Sequence, residues 1–368
     1  MKHLQLCATD FLKGGRSLFP PSTVPVKLTL AGWPPPVDKI GDRITEVAEF
    51  PLLRRVSVLA LPYQQIGPKG AAILARSSHL VKMTGLDLTW NDIKEEGVEA
   101  LAACPRLAQL RSLNLFHNYI HDAGVKALAT SRHLTKLERL DLGWNYIRAR
   151  GVNYLAESKN FRELQDLNLV TNRIGKLGVE ALANSANLTH LTALNLGGDE
   201  TPAKNRDFSA LASSPFLKRL KVLELEGNEI GDAGLIEIFQ SPNLARITLL
   251  NVNGNNLTPN GLRVLLQSPL VSKLRSLNLG WNRNLQLAGA QLLSATAELK
   301  NLRELIVCRC GIPPEGISAL LTSPHLMNLK RLDIEASMIG EPERGIFLQR
   351  FGQSRRVPGP AGLSGIGL

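Results

Sequence analysis

Disulfide pairing, membrane insertion and the common catalytic fingerprints are all missing from this sequence. Its four cysteines, Cys7, Cys104, Cys308 and Cys310, form no framework of paired spacings. Four reduced thiols fit a reducing compartment. No stretch is apolar enough to span a membrane. Met1 to Cys7 is too short for a secretory apolar core, and Leu6 is too large for a lipoprotein cleavage site. The expected location is therefore cytoplasmic. No P-loop, Gly-x-Ser-x-Gly elbow or dinucleotide fingerprint appears. His117 and His121 are four residues apart but flank a loop, and Cys308-x-Cys310 has no second pair, so no metal site is expected. Nothing suggests a desolvated cleft that would shift a carboxylate pKa for acid–base work. The expectation is a chain that is not an enzyme and holds no cofactor.

What the chain has instead is leucine at a fixed interval, at Leu59, Leu86, Leu113, Leu140, Leu167, Leu194, Leu223, Leu250, Leu277, Leu305 and Leu332. Eight of the ten steps equal the step from Leu59 to Leu86; the step after Leu194 is two residues longer and that after Leu277 one residue longer. A period of this size marks a stacked repeat array. Each unit reads L-x-x-L-x-L-x-x-N-x-I, then Gly, then an apolar helical pattern, as in Leu110, Leu113, Leu115, Asn118, Ile120, Gly124, Val125 and Leu128. The L-x-L step has period two, which puts both leucines on one side of a short strand. Asp122 and Asp232 stand where a helix N-cap is useful. Ser-Pro pairs such as Ser214-Pro215, Ser241-Pro242, Ser268-Pro269 and Ser323-Pro324 close the helices, because Pro cannot continue them.

Asparagine recurs three residues after the second strand leucine, at Asn91, Asn118, Asn145, Asn172, Asn228, Asn255 and Asn282. An inward amide there can donate to and accept from backbone groups in the bend, which would otherwise be buried and unpaired. The role is structural. Burying one Leu gains roughly 1.5–3 kcal/mol, whereas ordering the backbone costs on the order of 1–2 kcal/mol per residue. A lone unit therefore cannot fold, and neighbours must bury each other's faces.

The pattern resembles the leucine-rich repeat family, and within it the ribonuclease-inhibitor-like class with a helix in each unit. The flanks Asp10-Phe11-Leu12, Val26-Lys27-Leu28-Thr29-Leu30 and Gln349-Arg350-Phe351-Gly352 look like those of a bacterial subgroup, whose frequent N-terminal companion domain is not expected here. The resemblance implies an α/β solenoid, a horseshoe of about 11 repeats with a concave parallel sheet and convex helices. Residues 1–53 are expected to form an N-terminal cap with a divergent strand at Lys27 to Ala31, and Trp33-Pro34-Pro35-Pro36 a rigid connector. Residues 54–351 form the array, closed by a helix from Arg344 to Arg350. Residues 352–368, rich in Gly and Pro, are expected to be a disordered tail.

The net charge of +11 taken alone suggests an acidic partner. The repeat divides it by face. Asp87, Asp141, Asp166, Glu224, Glu226, Glu304, Asp333 and Glu335 fall at outward strand positions, opposed only by Arg139 and Arg331, leaving the concave strip about six units negative and the rest about seventeen positive. These charges either keep a sheet soluble or attract a basic partner. Basic residues such as Lys126, Arg148 and Arg150 read as scattered over helices and turns, with no specific nucleic-acid motif.

Three of the four tryptophans, Trp90, Trp144 and Trp281, share one slot, two residues after the second strand leucine. Tyr63 and His117 occupy the same slot, with Phe116 beside it. Parallel strands about 4.8 Å apart would line Tyr63, Trp90, His117 and Trp144 into one stripe, either a binding surface or rings that merely stack. A second candidate is the irregular segment from Gly198 to Arg206, where Asp199 fills the asparagine slot. The expected function is a non-catalytic protein-interaction scaffold, a monomer binding a basic protein partner on the concave face and rim. The alternatives are an enzyme regulator (a GTPase activator or ribonuclease-inhibitor-like protein) and carbohydrate or cell-wall recognition.

Overall fold

The computed structural model describes residues 2–6, 12, 26–30, 43–200, 207–334 and 341–352. They fall into two compact units. The first runs to Ile174 with Ser185–His190, and the second comprises Gly175–Asn184 and the chain from Leu191 onward. Cys7, Trp33 to Pro36, Thr201 to Arg206, Glu335 and the tail from Ser354 lie outside the described residues.

Unit one holds strands β1 (Lys2–Leu6), β2 (Val26–Leu30), β3 (Val56–Ala60), β4 (Gly85–Asp87), β5 (Ser112–Asn114), β6 (Arg139–Asp141) and β7 (Asp166–Asn168). Unit two holds β8 (Ala193–Asn195), β9 (Val222–Glu224), β10 (Leu249–Asn251), β11 (Ser276–Asn278), β12 (Glu304–Ile306) and β13 (Arg331–Asp333). Within each unit the strands are parallel, alternate with helices and follow one another in chain order. The leucine ruler is the register. Leu59 pairs with Leu86, Leu113, Leu140 and Leu167 in succession, and Leu194 with Leu223, Leu250, Leu277, Leu305 and Leu332. All eleven are buried. The register extends two strands ahead of the first of them, through Leu28 and Leu4. The strand expected at Lys27 to Ala31 is Val26–Leu30, and β1 lies earlier than any periodic signal reached. The closing helix is longer than Arg344 to Arg350, spanning Glu341–Phe351.

The asparagine ladder works through all four bonds of each amide. Asn145 Nδ2 donates to the carbonyls of Leu115 and Gly143 (both 2.9 Å), while its Oδ1 accepts from the Asn118 and Ile120 amides. Asn91, Asn118, Asn172 and Asn282 repeat the arrangement. Every member of the ladder is at most 1% exposed, so each backbone group it serves has no water to turn to. Asp199 fills the slot in unit two by accepting from Gly175 N–H at 2.7 Å. Cys310 is a poorer replacement, its thiol donating to the Leu279 carbonyl.

A second ladder runs behind the helices. The hydroxyls of Ser77, Ser131, Ser158, Ser185, Ser214, Ser241 and Ser323 donate to the last carbonyls of the preceding helix, those of Ala48, Ala102, Ala129, Ala156, Ala183, Ala212 and Ser294. In the Ser-Pro pairs, Ser214, Ser241 and Ser323 are thus cross-repeat caps as well as helix ends, whereas the buried Ser268 hydroxyl has no hydrogen-bond partner among the described residues. Such carbonyls have no partner within their own helix. The N-cap expected from Asp122 and Asp232 is also displaced by one repeat. Asp122 accepts from the amide of Arg148 and Asp232 from that of Thr258, the residues that open the following helices. The carboxylates follow their helices' first residues, so they cannot cap their own helix and reach the next one.

Asn145→Ala leaves buried donors and acceptors unmet at about 1–3 kcal/mol each. The expected loss in urea denaturation is about 3–5 kcal/mol, with a smaller loss for Ser131→Ala, which removes one donor and the acceptor for the His133 and Leu134 amides.

Candidate functional site

The ring-bearing slot has a backbone conformation of its own. In every unit from Tyr63 to Arg309 the residue two after the second strand leucine takes positive φ: Tyr63 (61°), Trp90 (57°), His117 (53°), Trp144 (56°), Thr171 (52°), Gly198 (61°), Gly227 (67°), Gly254 (61°), Trp281 (59°) and Arg309 (55°). The left-handed region is open to glycine at no steric cost, and a side chain there costs on the order of 1–2 kcal/mol. Unit two fills three of these places with glycine. Unit one fills four with Tyr, Trp, His and Trp.

Those four rings form one row. Centroids lie 5.8 Å apart for Tyr63 and Trp90, 3.4 Å for Trp90 and His117, and 5.6 Å for His117 and Trp144, all stacked. Burial in the stack holds the His117 imidazole below its usual range. Stacking does not hide the row, because Trp90 and Trp144 remain 40% and 45% exposed. Sequence reasoning stopped at this slot and missed the next row. Tyr119 and Tyr146, one repeat apart, stack at 5.8 Å; Tyr119 meets His117 edge-on, and Arg173 lies over the Tyr146 ring at 4.8 Å. The same period held that signal. Phe116 turns onto the sheet instead, where it and Val170 fill the space above Gly143. Trp281 belongs to unit two and is no part of the row; Arg309 and Arg283 lie over its ring at 4.7 and 5.7 Å.

The acidic strip is more structural than its sequence suggests. Asp87 Oδ1 accepts from Thr89 N–H at 2.9 Å and Asp141 Oδ1 from Gly143 N–H at 3.0 Å. Asn114, Asn168, Asn195, Asn251 and Asn278 make the same bond two residues on. Where Asp or Asn fills the slot, the bond uses an acceptor oxygen and not a charge, and Ala60 and Ile306 fill it with neither. Glu224, expected to point outward, is buried because the Asn195 amide draws its carboxylate down. Glu226 is half-buried, covers Gly197 and accepts from Asn251 at 2.9 Å; burial raises its pKa. Glu304 and Asp333 are both paired with Arg331.

Unit one nonetheless carries an electrostatic cost, and the expectation of unshifted carboxylates fails there. Burial pushes Asp141 up to about 6, with Asp87 and Asp166 adding to the rise against the Gly143 and Asn168 hydrogen bonds. Burial also pushes Asp166 up to about 6, opposed by Arg139, and raises Asp87.

The basic residues are less scattered than the sequence implies. Lys126, Arg148 and Arg150 converge with His121, Tyr146 and Tyr154 around a cavity of about 420 Å³ next to the second aromatic row. Among the described residues no cluster of three or more His, Cys, Asp or Glu side chains could hold a metal. Nor is any helix among them long and apolar enough to cross a membrane.

The leucine-rich repeat family pattern matches residues 79–102, 109–129, 133–156, 162–183, 218–239 and 272–294. Each matched stretch carries parts of the strand, bend and helix described above. The chain is a leucine-rich repeat protein. Among solved structures, this leucine-rich repeat chain is similar in fold to that of Rad7 and Elc1 in complex in yeast, with a TM-score of 0.58, 18% identity, and coverage of 86% of this chain and 77% of that one. An internalin, InlF of Listeria monocytogenes, aligns with a TM-score of 0.48 at 20% identity, over 81% and 90% of the two chains. No curated protein matches in sequence.

Asp141→Asn keeps the turn's acceptor and removes the charge. A carboxyl whose folded pKa is raised binds more protons folded than unfolded, so its stability is highest below pH 3.8 and falls as pH rises through about 6. The Asn variant should be more stable than wild type at pH 7 and show a flatter decline between pH 4.5 and 7 in urea denaturation. A variant less stable at pH 7 contradicts the electrostatic reading.

Proposed function

We propose that the protein is a non-catalytic interaction scaffold that binds a protein partner along the aromatic rim and acidic sheet face of unit one. The observation that carries this is a pair of local choices that work against the fold. The left-handed slot holds Tyr63, Trp90, His117 and Trp144 where Gly227 and Gly254 serve the same backbone. The turn slot holds Asp87 and Asp141 where asparagine makes the identical bond. Strain and unfavourable charge of this kind concentrate where a surface has another use.

The chemistry of the surface specifies the partner. Trp90, Trp144 and Phe116 supply apolar area of the type enriched at binding hot spots. Asp87, Asp141 and Asp166 supply negative charge that a lysine or arginine of the partner would neutralise, relieving the repulsion among them. The partner therefore presents basic side chains beside an apolar patch. A chain of similar fold occurs in a protein complex, the yeast Rad7–Elc1 pair, which supports a binding role without naming the partner. The helix in each unit favours the ribonuclease-inhibitor-like class, and the reduced thiols suit the cytoplasm.

Trp144→Gly separates binding from folding. Relief of the left-handed side chain, about 1–2 kcal/mol, offsets a lost ring contact of about 0.5–1.5 kcal/mol. Stability should stay within about 1 kcal/mol of wild type, while affinity for the partner falls by about 2 kcal/mol or more, measured by titration calorimetry with a captured partner. A large fall in stability with unchanged affinity would make the ring a structural element only.

A further inference from the structure

Three cations line the cavity beside the rim with no carboxylate bound to them. Lys126, Arg148 and Arg150 are exposed and make no ion pair among the described residues. They come from two neighbouring helices, His121–Ala129 and Ala149–Glu157. Arg148 opens the second of these in extended conformation, so its side chain leaves the helix and turns to the cavity. One acid lines the wall, Asp122, whose Oδ1 is occupied by the Arg148 backbone amide at 2.7 Å. The wall thus keeps a net charge of about two positive, which suits a dianion better than a carboxylate.

The rest of the lining is aromatic. Tyr154 is fixed by Arg150 Nε donating to its hydroxyl at 3.1 Å, and its ring is approached at 5.9 Å by both Lys126 and Arg150. Tyr146 also lines the cavity, stacked with His121 at 5.8 Å. At about 420 Å³ the cavity is far larger than a bare phosphate ion needs. Beside the cations, Tyr146, Tyr154 and His121 give the lining an aromatic part that suits an apolar ring.

We propose that this cavity binds a phosphate monoester carried on a planar ring, the phosphate held by Lys126, Arg148 and Arg150 and the ring received against Tyr146 and Tyr154. A phosphorylated tyrosine of a partner and a mononucleotide share this chemistry. The guanidinium groups bind the phosphate oxygens by paired, charge-assisted hydrogen bonds, and the tyrosine rings supply apolar, edge-on contact for the ligand ring.

The test is calorimetric titration of the full chain with phenyl phosphate at pH 7.5, where the monoester is a dianion. Inorganic phosphate and benzenesulfonate are the comparisons. Saturable binding is expected for phenyl phosphate, at least tenfold tighter than for either comparison, and at least tenfold weaker in Lys126→Met and in Arg150→Gln. The Lys126 side chain makes no hydrogen bond among the described residues, so Lys126→Met should leave the urea midpoint unchanged and keeps the test independent of folding. No saturable binding, or binding unchanged in both variants, overturns the proposal. Inorganic phosphate binding as tightly as phenyl phosphate overturns the role of the tyrosines. A phosphotyrosine peptide and adenosine monophosphate, titrated in competition, identify the source; failure of both to compete overturns an organic phosphate site. A Trp90/Trp144 double-alanine variant that still binds phenyl phosphate keeps this result separate from the fate of the rim.

Discussion

A buried amide holding the bend of the preceding unit is the constraint on which the rest of the structure depends. Strands and helices as short as these cannot stand alone, and the chain must reverse sharply between them once per unit. Each reversal buries backbone donors and acceptors beneath the next unit. Asparagine, with two donors and an acceptor oxygen on one short planar group, meets them from the neighbouring repeat. The serine hydroxyls do the same for the helix ends, and Asp122 and Asp232 for the start of the following helix. All three devices cross from one repeat to the next. The polar groups, as much as the leucines, make single units unable to fold and stacked ones cooperative.

Because each slot recurs, the chain carries its own control experiments. Where a slot does only structural work, unit two shows the cheapest residue for it: glycine at positive φ in Gly227 and Gly254, asparagine at the turn in Asn251 and Asn278. Unit one departs from the first choice in four successive repeats and from the second in two of those, at Asp87 and Asp141. Its departures are large, aromatic and exposed in one slot and charged in the other, and they lie on adjoining surfaces. Tolerated drift has no reason to place both costs together. Trp281 is the counterexample within unit two, and its guanidinium neighbours give it different surroundings from the stacked row.

The register, the burial of the eleven leucines and the asparagine ladder were legible in the sequence, because one constant period assigns every position to a face. Strand β1 was not: Leu4 and Leu28 stand closer together than the period requires, and so fall outside it. The serine ladder was not either, since Ser77 or Ser185 reads as an ordinary helix end until a carbonyl of the preceding repeat is seen above it. For the site, the row from Tyr63 to Trp144 followed from the period, and so could the Tyr119–Tyr146 row have done. The left-handed backbone beneath the rings, the burial that lifts Asp141 and Asp166, and the convergence of Lys126 with Arg148 and Arg150 depend on distances across repeats. No single stretch of chain records them.

The central claim is that the aromatic row of unit one, not the slot as such, meets the partner. Hydroxyl-radical footprinting of the complex tests it most directly, with Trp281 as the internal reference in the same slot. The account predicts that Trp90, Trp144 and Tyr146 lose reactivity on binding while Trp281 keeps it. Protection of Trp281 with Trp90 and Trp144 unaffected would contradict it.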